Sequence, residues 1–397
     1  MTPGAECEPS GAVAAGGEVE LRGRVLTAAG LLSDAVVAVR GARIAAVTPV
    51  SEWVAAQGRM PPRSLGTILP GLVDIHNHGG HGHRFDTTDP AEAAAAAAFH
   101  HRAGTTTLLA SIVTAAPDDL VAQVTALRDL VTDGTLAGIH IEGPFLSEKR
   151  CGAHDPGLLL HPDPHLIDRL LKAADGALRV MTLAPELPGF AAAAKLLTDN
   201  DVVVALGHSD AAYPAFRTAL PPAGPATLIT HLANGMRPLH HRDPGPIAAA
   251  LVAAAAHQAT IELIGDGVHL DPGFAALAFA TAPRRVALIT DAMQAAGMPD
   301  GTYRLGSQTV HVENGTARVP SGSIAGGTAT LLQCLRWAAT HCAVPLIDAV
   351  AAATATPAAA TVLPDVGDLR PGMYADALIV DDNLRPLRVL RRGRWIV

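Results

Sequence analysis

Aromatic side chains are scarce in this chain, at 3% of 397 residues, so its core must be built mainly from aliphatic side chains. Cysteine is scarcer still. Cys7, Cys151, Cys334 and Cys342 are scattered with no CxxC pair, which excludes a disulfide framework and a thiolate zinc knuckle, and leads us to expect a reducing, cytoplasmic setting. A basic surface is missing too: Lys and Arg total 29 against 37 Asp and Glu, a net charge of −8, which argues against nucleic acid or an acidic membrane as a partner. No apolar run reaches the about 20 residues of a membrane span. Residues 1–17, rich in Gly, Ala and Pro, have neither the basic start nor the apolar centre of a signal peptide, and we expect a disordered tail there.

What is present is a well-packed globular composition, 49% hydrophobic and 17% charged, long enough for one large domain and a small one. Residues 19–48 alternate as a meander does, with Gly30 and Gly41 at turns. The end of the chain, ADALIVDDNLRPLRVLRRGRWIV, reads the same way, with a turn at residues 381–383 and a tight hairpin at Arg392-Gly393. Strands at both ends with a different rhythm between them predict a small β-sandwich assembled from residues 18–69 and 370–397.

Between them, strands and helices alternate. Short apolar strands are expected at residues 72–75, 106–110, 136–142, 180–183, 202–206, 227–230, 261–264 and 286–289, separated by Ala-rich helices. Eight such strands predict an α/β fold, a (β/α)8 TIM-like barrel over residues 70–369, with an inserted hairpin at residues 302–319. A doubly wound open sheet is the alternative, but no glycine fingerprint follows a first strand.

Chemistry-bearing residues fall where these strands end. In PGLVDIHNHGGHGH, His76 and His78 sit two apart at a strand terminus and project to one side, a ready chelate for a divalent transition metal. Other strands run into Glu142, His208, His231 and Asp291. In a parallel barrel these ends form one rim, so six coordinating-type residues would share one bowl. A single histidine at a strand end is more often a hydrogen-bonded structural residue. Six in succession point to a metal site.

The strings IHIEGPFLSEKRCGAHDPG, LAPE, GHS, THLANGMRPLHHRDPG, DGVHLDP and ITDAM, in that order, resemble the N-acetylglucosamine-6-phosphate deacetylases of the amidohydrolase superfamily, over nearly the whole chain. EGPF followed by GAH, and HHRDPG, are specific to that group. The resemblance implies that Glu142, His208 and His231 form the main metal site and that His76 and His78 can hold a second ion, one or two per chain, with Zn or Fe first and Co or Mn also suitable. Lysine occurs only at Lys149, Lys172 and Lys195, none at a predicted strand end, so Glu142 rather than a carbamylated lysine must bridge two ions. A bound ion lowers the pKa of its water toward about 7, giving a hydroxide nucleophile. Asp291 would act as general base and then acid, and His154 would donate to the oxyanion.

The same resemblance implies contacts to a phosphorylated amino sugar from Ala153, His154, Asn234, Gly235, Arg242, Asp266, His269, Ile324, Ala325 and Gly326, with Arg242 and His269 at the phosphate. It also implies a homodimer in which such contacts can cross between subunits. Arg242 read alone is an ordinary surface cation, and Asp291 a helix N-cap. Departures from the usual pattern at Ala233, Gly235 and Gly327 bear on sugar selection, and Cys151 reads as a spectator beside the site rather than a reactive thiol. The function expected is deacetylation of N-acetylglucosamine 6-phosphate. N-acetylgalactosamine 6-phosphate or another N-acylated amine is the near alternative, and a catalytically dead scaffold the distant one.

Overall fold

The computed structural model describes residues 18–396; the expected N-terminal tail lies outside the described residues. Eight strands make a parallel sheet in chain order: Leu72–Asp74, Thr105–Ile112, Gly138–Glu142, Leu178–Leu183, Val203–Leu206, Leu228–Ile229, Thr260–Ile264 and Val286–Ile289. Its two edges meet. The His78 N–H donates to Ala292 O at 2.7 Å and the Asp291 N–H to His76 O at 3.0 Å, so the sheet closes as a barrel at the very residues expected to carry chemistry.

Local signals explain the helices around it. Three begin with Asp-Pro: Asp89, Asp163 and Asp271 each accept a backbone N–H two residues on, while the following proline has no N–H to satisfy. Each such cap is worth about 1 kcal/mol. The Ala-rich helix Pro90–Arg102 buries Ala93, Ala96 and Ala97, the i, i+3, i+4 stripe of a helix that lies close on a sheet.

The terminal strands form one seven-stranded sheet, ordered Arg394–Ile396, Pro386–Arg391, Ala377–Val380, Ser64–Pro70, Glu18–Thr27, Gly30–Arg40 and Arg43–Pro49. Leu21, Val37, Ile44, Ile68, Ile379 and Leu390, drawn from nearly every strand, share one core, so the small β unit is a single continuous sheet folded over itself. Strand Ser64–Pro70 was not foreseen. It lies in the centre, parallel to Glu18–Thr27, and leads directly into the first barrel strand. The expected insertion is a three-stranded sheet, Gly301–Leu305, Gln308–Glu313 and Thr316–Arg318.

Inside the barrel, inward positions divide into layers. Val73, Leu109, Val180, Ala205, Leu228 and Ala287 pack an apolar lower layer. Above it runs a hydrogen-bonded polar girdle: Ser111 Oγ to His140 Nδ1 at 2.9 Å, His140 Nε2 to Thr182 Oγ1 at 2.9 Å, and Thr182 Oγ1 to Thr230 Oγ1 at 2.8 Å. The girdle is the floor of the site.

Candidate metal centre and active site

Glu142 is the hub. Its Oε1 lies 3.0 Å from His208 Nε2 and 2.8 Å from His231 Nε2, while its Oε2 lies 3.2 Å from His78 Nε2 and 3.4 Å from His76 Nε2. Asp291 Oδ1 completes the second half, 3.1 Å from His78 Nε2 and 3.4 Å from His76 Nε2. Two groups able to hold an ion thus share one carboxylate: Glu142, His208 and His231 in one, and His76, His78, Glu142 and Asp291 in the other. The sequence reading counted Asp291 among the six rim residues but gave it the acid–base role and not that of a ligand; the fold sets it among the donors as well.

The hydrogen bonds behind the ring decide what the front offers. His208 Nδ1 donates to Arg150 O at 2.7 Å, His78 Nδ1 to Ser111 O at 3.1 Å, and His76 Nδ1 to Glu262 Oε2 at 3.1 Å. Each acceptor fixes its ring with the proton at Nδ1, leaving the Nε2 lone pair aimed inward. Lone pairs 3.1 Å apart on His76 and His78, both facing carboxylate oxygens, repel unless positive charge lies among them. The donor set, imidazole nitrogens and carboxylate oxygens, suits a divalent transition metal. The residues fit the group.

Electrostatics point the same way. Burial alone would keep His76 and His78 neutral, but the Glu142 and Asp291 carboxylates outweigh it, lifting His76 well above its ordinary range and His78 to about 9. Burial would raise the carboxyls, yet the imidazoles hold Glu142 well below its usual range, and Asp291 below its own. The cavity demands net positive charge, which a cation meets.

His154 has the opposite tautomer. Its Nδ1 faces the Thr114 N–H at 3.4 Å and Thr114 Oγ1 at 2.9 Å, so Nε2 carries the proton, directed toward Glu142 Oε2 at 3.5 Å. Burial holds this imidazole below its ordinary pKa, as a neutral donor.

His208, His231 and Asp291 all have positive φ, 46°, 25° and 48°, directly after their strands. The left-handed turn folds each side chain back over the barrel mouth, at a cost of about 1–3 kcal/mol per residue. Gly235 has φ 57°, and a Cβ on it would stand 2.6 Å from His208 Nδ1. The space that a side chain at Gly235 would need is therefore already occupied by the His208 ring. Gly327 is similar: a Cβ there would lie 2.3 Å from Thr290 O.

The centre forms the floor of a 380 Å³ pocket. Ala153, His154, Asn234, Gly235, His269, Ile324 and Gly326 line it. Asp266 does not. It stands behind, its Oδ2 2.7 Å from His269 Nδ1, and this partner lifts the His269 imidazole above its ordinary pKa against the pull of burial. Ala325 is wholly buried, while Arg242 is exposed in its loop outside this pocket, bonded among the described residues only to His240 and His241. Cys151 is half-buried, and burial pushes its thiol upward, away from reactivity.

Sequence reasoning passed over Glu262, His140 and Thr114. A signal existed: in GIHIE and TIELI a polar residue stands at an inward position of an otherwise apolar strand. It also missed Lys149, Arg150, Ser307 and Gln308 in the pocket wall, which the inserted sheet and the loop after Glu142 supply.

The sequence pattern of the Amidohydrolase family matches residues 67–396. The chain belongs to the amidohydrolase family. Among solved structures, this amidohydrolase is 42% identical to an N-acetyl-D-glucosamine-6-phosphate deacetylase variant from Mycobacterium smegmatis in complex with N-acetyl-D-glucosamine-6-phosphate. The TM-score is 0.91, covering 96% of this chain and 100% of the other. It is 33% identical to the N-acetylglucosamine-6-phosphate deacetylase of Lysinibacillus sphaericus, over 88% of this chain and 90% of that one. At the same identity, 33%, it matches the N-acetylgalactosamine-6-phosphate deacetylase of Escherichia coli O157:H7, over 94% and 97%. No helix among the described residues is long and apolar enough to cross a membrane.

Proposed function

We propose that this amidohydrolase is a metal-dependent deacetylase that hydrolyses the acetamide of N-acetylglucosamine 6-phosphate to glucosamine 6-phosphate and acetate. The observation that carries this reading is the pair of ligand groups sharing Glu142 beneath a pocket walled by His154, Asn234 and His269. The 42% identity to a deacetylase seen with that sugar supports the substrate.

One or two divalent ions, Zn or Fe by the donor set, with Glu142, His208 and His231 as the main ligands and His76 and His78 holding a second, would supply an acidified water and polarise the acetamide carbonyl. Asp291, kept anionic by His76 and His78, takes the attacking water's proton and returns it to the departing nitrogen, because an amine anion is too poor a leaving group. His154 donates its Nε2–H to the carbonyl oxygen as negative charge develops there. His269, whose imidazole Asp266 lifts above its ordinary pKa, suits a phosphate oxygen at the pocket wall. Arg242 does not line this pocket and is exposed in its loop, an arrangement that suits a homodimer in which Arg242 serves the partner's pocket. The chain's cysteine usage fits a cytoplasmic enzyme.

A second reading keeps the mechanism and exchanges the sugar for N-acetylgalactosamine 6-phosphate, favoured by the near-complete match to the Escherichia coli relative. Acetate release should be measured from both phosphorylated sugars and from unphosphorylated N-acetylglucosamine, with metal content per chain. We expect the glucosamine derivative to have the highest kcat/KM and the plain sugar to be poor. Faster turnover of the galactosamine derivative would transfer the assignment to it. Equal turnover of the plain sugar would discard the phosphate contact, and no acetate from any would leave the scaffold reading.

A further inference from the structure

At the opposite, N-terminal end of the barrel strands is a second cavity of about 250 Å³, between the barrel and the small sheet. Arg179, the second residue of its strand, and Arg392, in the hairpin of the last two strands, both line it. Neither guanidinium forms an ion pair among the described residues, and Arg179 Nε is buried with no hydrogen-bond partner. Thr106, 2% exposed, lines the same space, and its Oγ1 is also without a partner. By contrast Arg391, alongside, is engaged by the carbonyls of Thr106, Gly134 and Thr135.

Buried donors left unmatched cost about 1–3 kcal/mol each, so their concentration in one cavity calls for an acceptor. The two carboxylates in the walls do not meet that need. Asp376 Oδ1 takes the Arg392 backbone N–H at 2.6 Å, and Asp365 pairs with Arg43 at 3.2 Å. Arg392 is held in place by the Tyr374 ring, 4.9 Å away, and by the space that the missing Cβ of Gly134 leaves for its guanidinium. Both features pre-arrange a planar donor fork.

We propose that this cavity binds a small oxyanion, phosphate or a phosphate monoester, gripped by Arg179 and Arg392. The ligand would bridge the barrel and the terminal sheet. It therefore adds to the stability of the junction without touching the amide chemistry, and the proposal does not rest on the proposed substrate.

The test is thermal unfolding of the metal-loaded protein against inorganic phosphate, and separately against glucose 6-phosphate, with chloride at matched ionic strength as the blank. Arg179→Met and Arg392→Met are run alongside, since both keep an apolar stem. Because either anion can also enter the catalytic pocket, the quantity read is the part of the shift that the variants lose. We expect a saturable rise in Tm of about 2 °C or more that each variant reduces, with kcat/KM for the amide unchanged. Loss in the phosphate arm alone assigns the free ion, and loss in both assigns the ester as well. If both variants keep the parent's full shift in both arms, or if the parent shows none, the cavity holds only water and the proposal fails. A crystal soaked with tungstate gives an independent reading: density between Arg179 and Arg392 supports the site, and its absence at full occupancy of the catalytic pocket overturns it.

Discussion

Asp291 and Glu262 are both buried carboxylates near His76, yet their neighbours assign them different work. Asp291 Oδ1 faces the two Nε2 atoms at the front of the ring, on the pocket side. Replacing it by Asn keeps the shape and removes the proton acceptor, so kcat should fall by about 10²–10⁴-fold with the far-UV circular dichroism unchanged; near-normal turnover would remove Asp291 from proton transfer. Glu262 is wholly behind the ring, its Oε2 accepting from His76 Nδ1 and from the His231 N–H, both at 3.1 Å. It touches both halves of the centre. Glu262→Gln should weaken metal retention about 10- to 100-fold, measured by competition with a chelator, because the anion that makes His76 a better ligand is gone. Unchanged affinity would show that the orientation of His76 is set by packing alone. The six rim residues were legible because they end apolar strands. Glu262 was not, since nothing in TIELI says which of its two faces meets the histidines.

Among the strands and turns, the sheet of the small unit closes where its two ends touch. Gly393 turns the last hairpin with φ 73°, and a Cβ on it would stand 1.9 Å from Gly41 O in the turn between Gly30–Arg40 and Arg43–Pro49. Gly372 offers a control, with φ 90° and nothing within 4 Å of its own missing Cβ. Gly372→Ala should cost about 1–2 kcal/mol from backbone strain alone, and Gly393→Ala distinctly more, read from denaturant unfolding. Equal losses would mean that the two turns do not press on one another. The hairpin itself was legible from Arg392-Gly393. Its contact with Gly41, some 350 positions earlier, was not, because local turn chemistry carries no information about the partner. The same holds for strand Ser64–Pro70, whose pairing partners are at opposite ends of the chain.

For the whole molecule, the junction of barrel and sheet carries a pH signature. Asp376 is buried, and desolvation raises its pKa to about 6, with the Arg392 N–H and the charges of Arg391 and Arg392 only partly offsetting it. The folded protein therefore holds this proton up to about pH 6, whereas an unfolded chain releases it near ~3.9. Stability falls as pH rises between these values and stays lower above them, by roughly 2–3 kcal/mol at about 1.36 kcal/mol per unit. Asp376→Asn removes the penalty. The variant's gain over the parent should be absent near pH 4 and grow to its full size by pH 6.5, followed by urea unfolding at each pH. A gain independent of pH would place the effect in packing.

Apolar strands at regular intervals, each ending in His, Glu or Asp, were enough to determine from the sequence alone a barrel with a metal-binding rim and a β unit made from both termini. Periodicity and chain order carry that information, because strand ends in a parallel barrel must all open on one side. Which lone pairs face inward, that Glu142 divides its two oxygens between two groups, and that the missing Cβ of Gly235 leaves room for the His208 ring were decided only by the tertiary structure. These depend on distances of about 3 Å between residues far apart in the chain, such as His76 and Glu262, 186 positions apart, and no local pattern encodes such a distance.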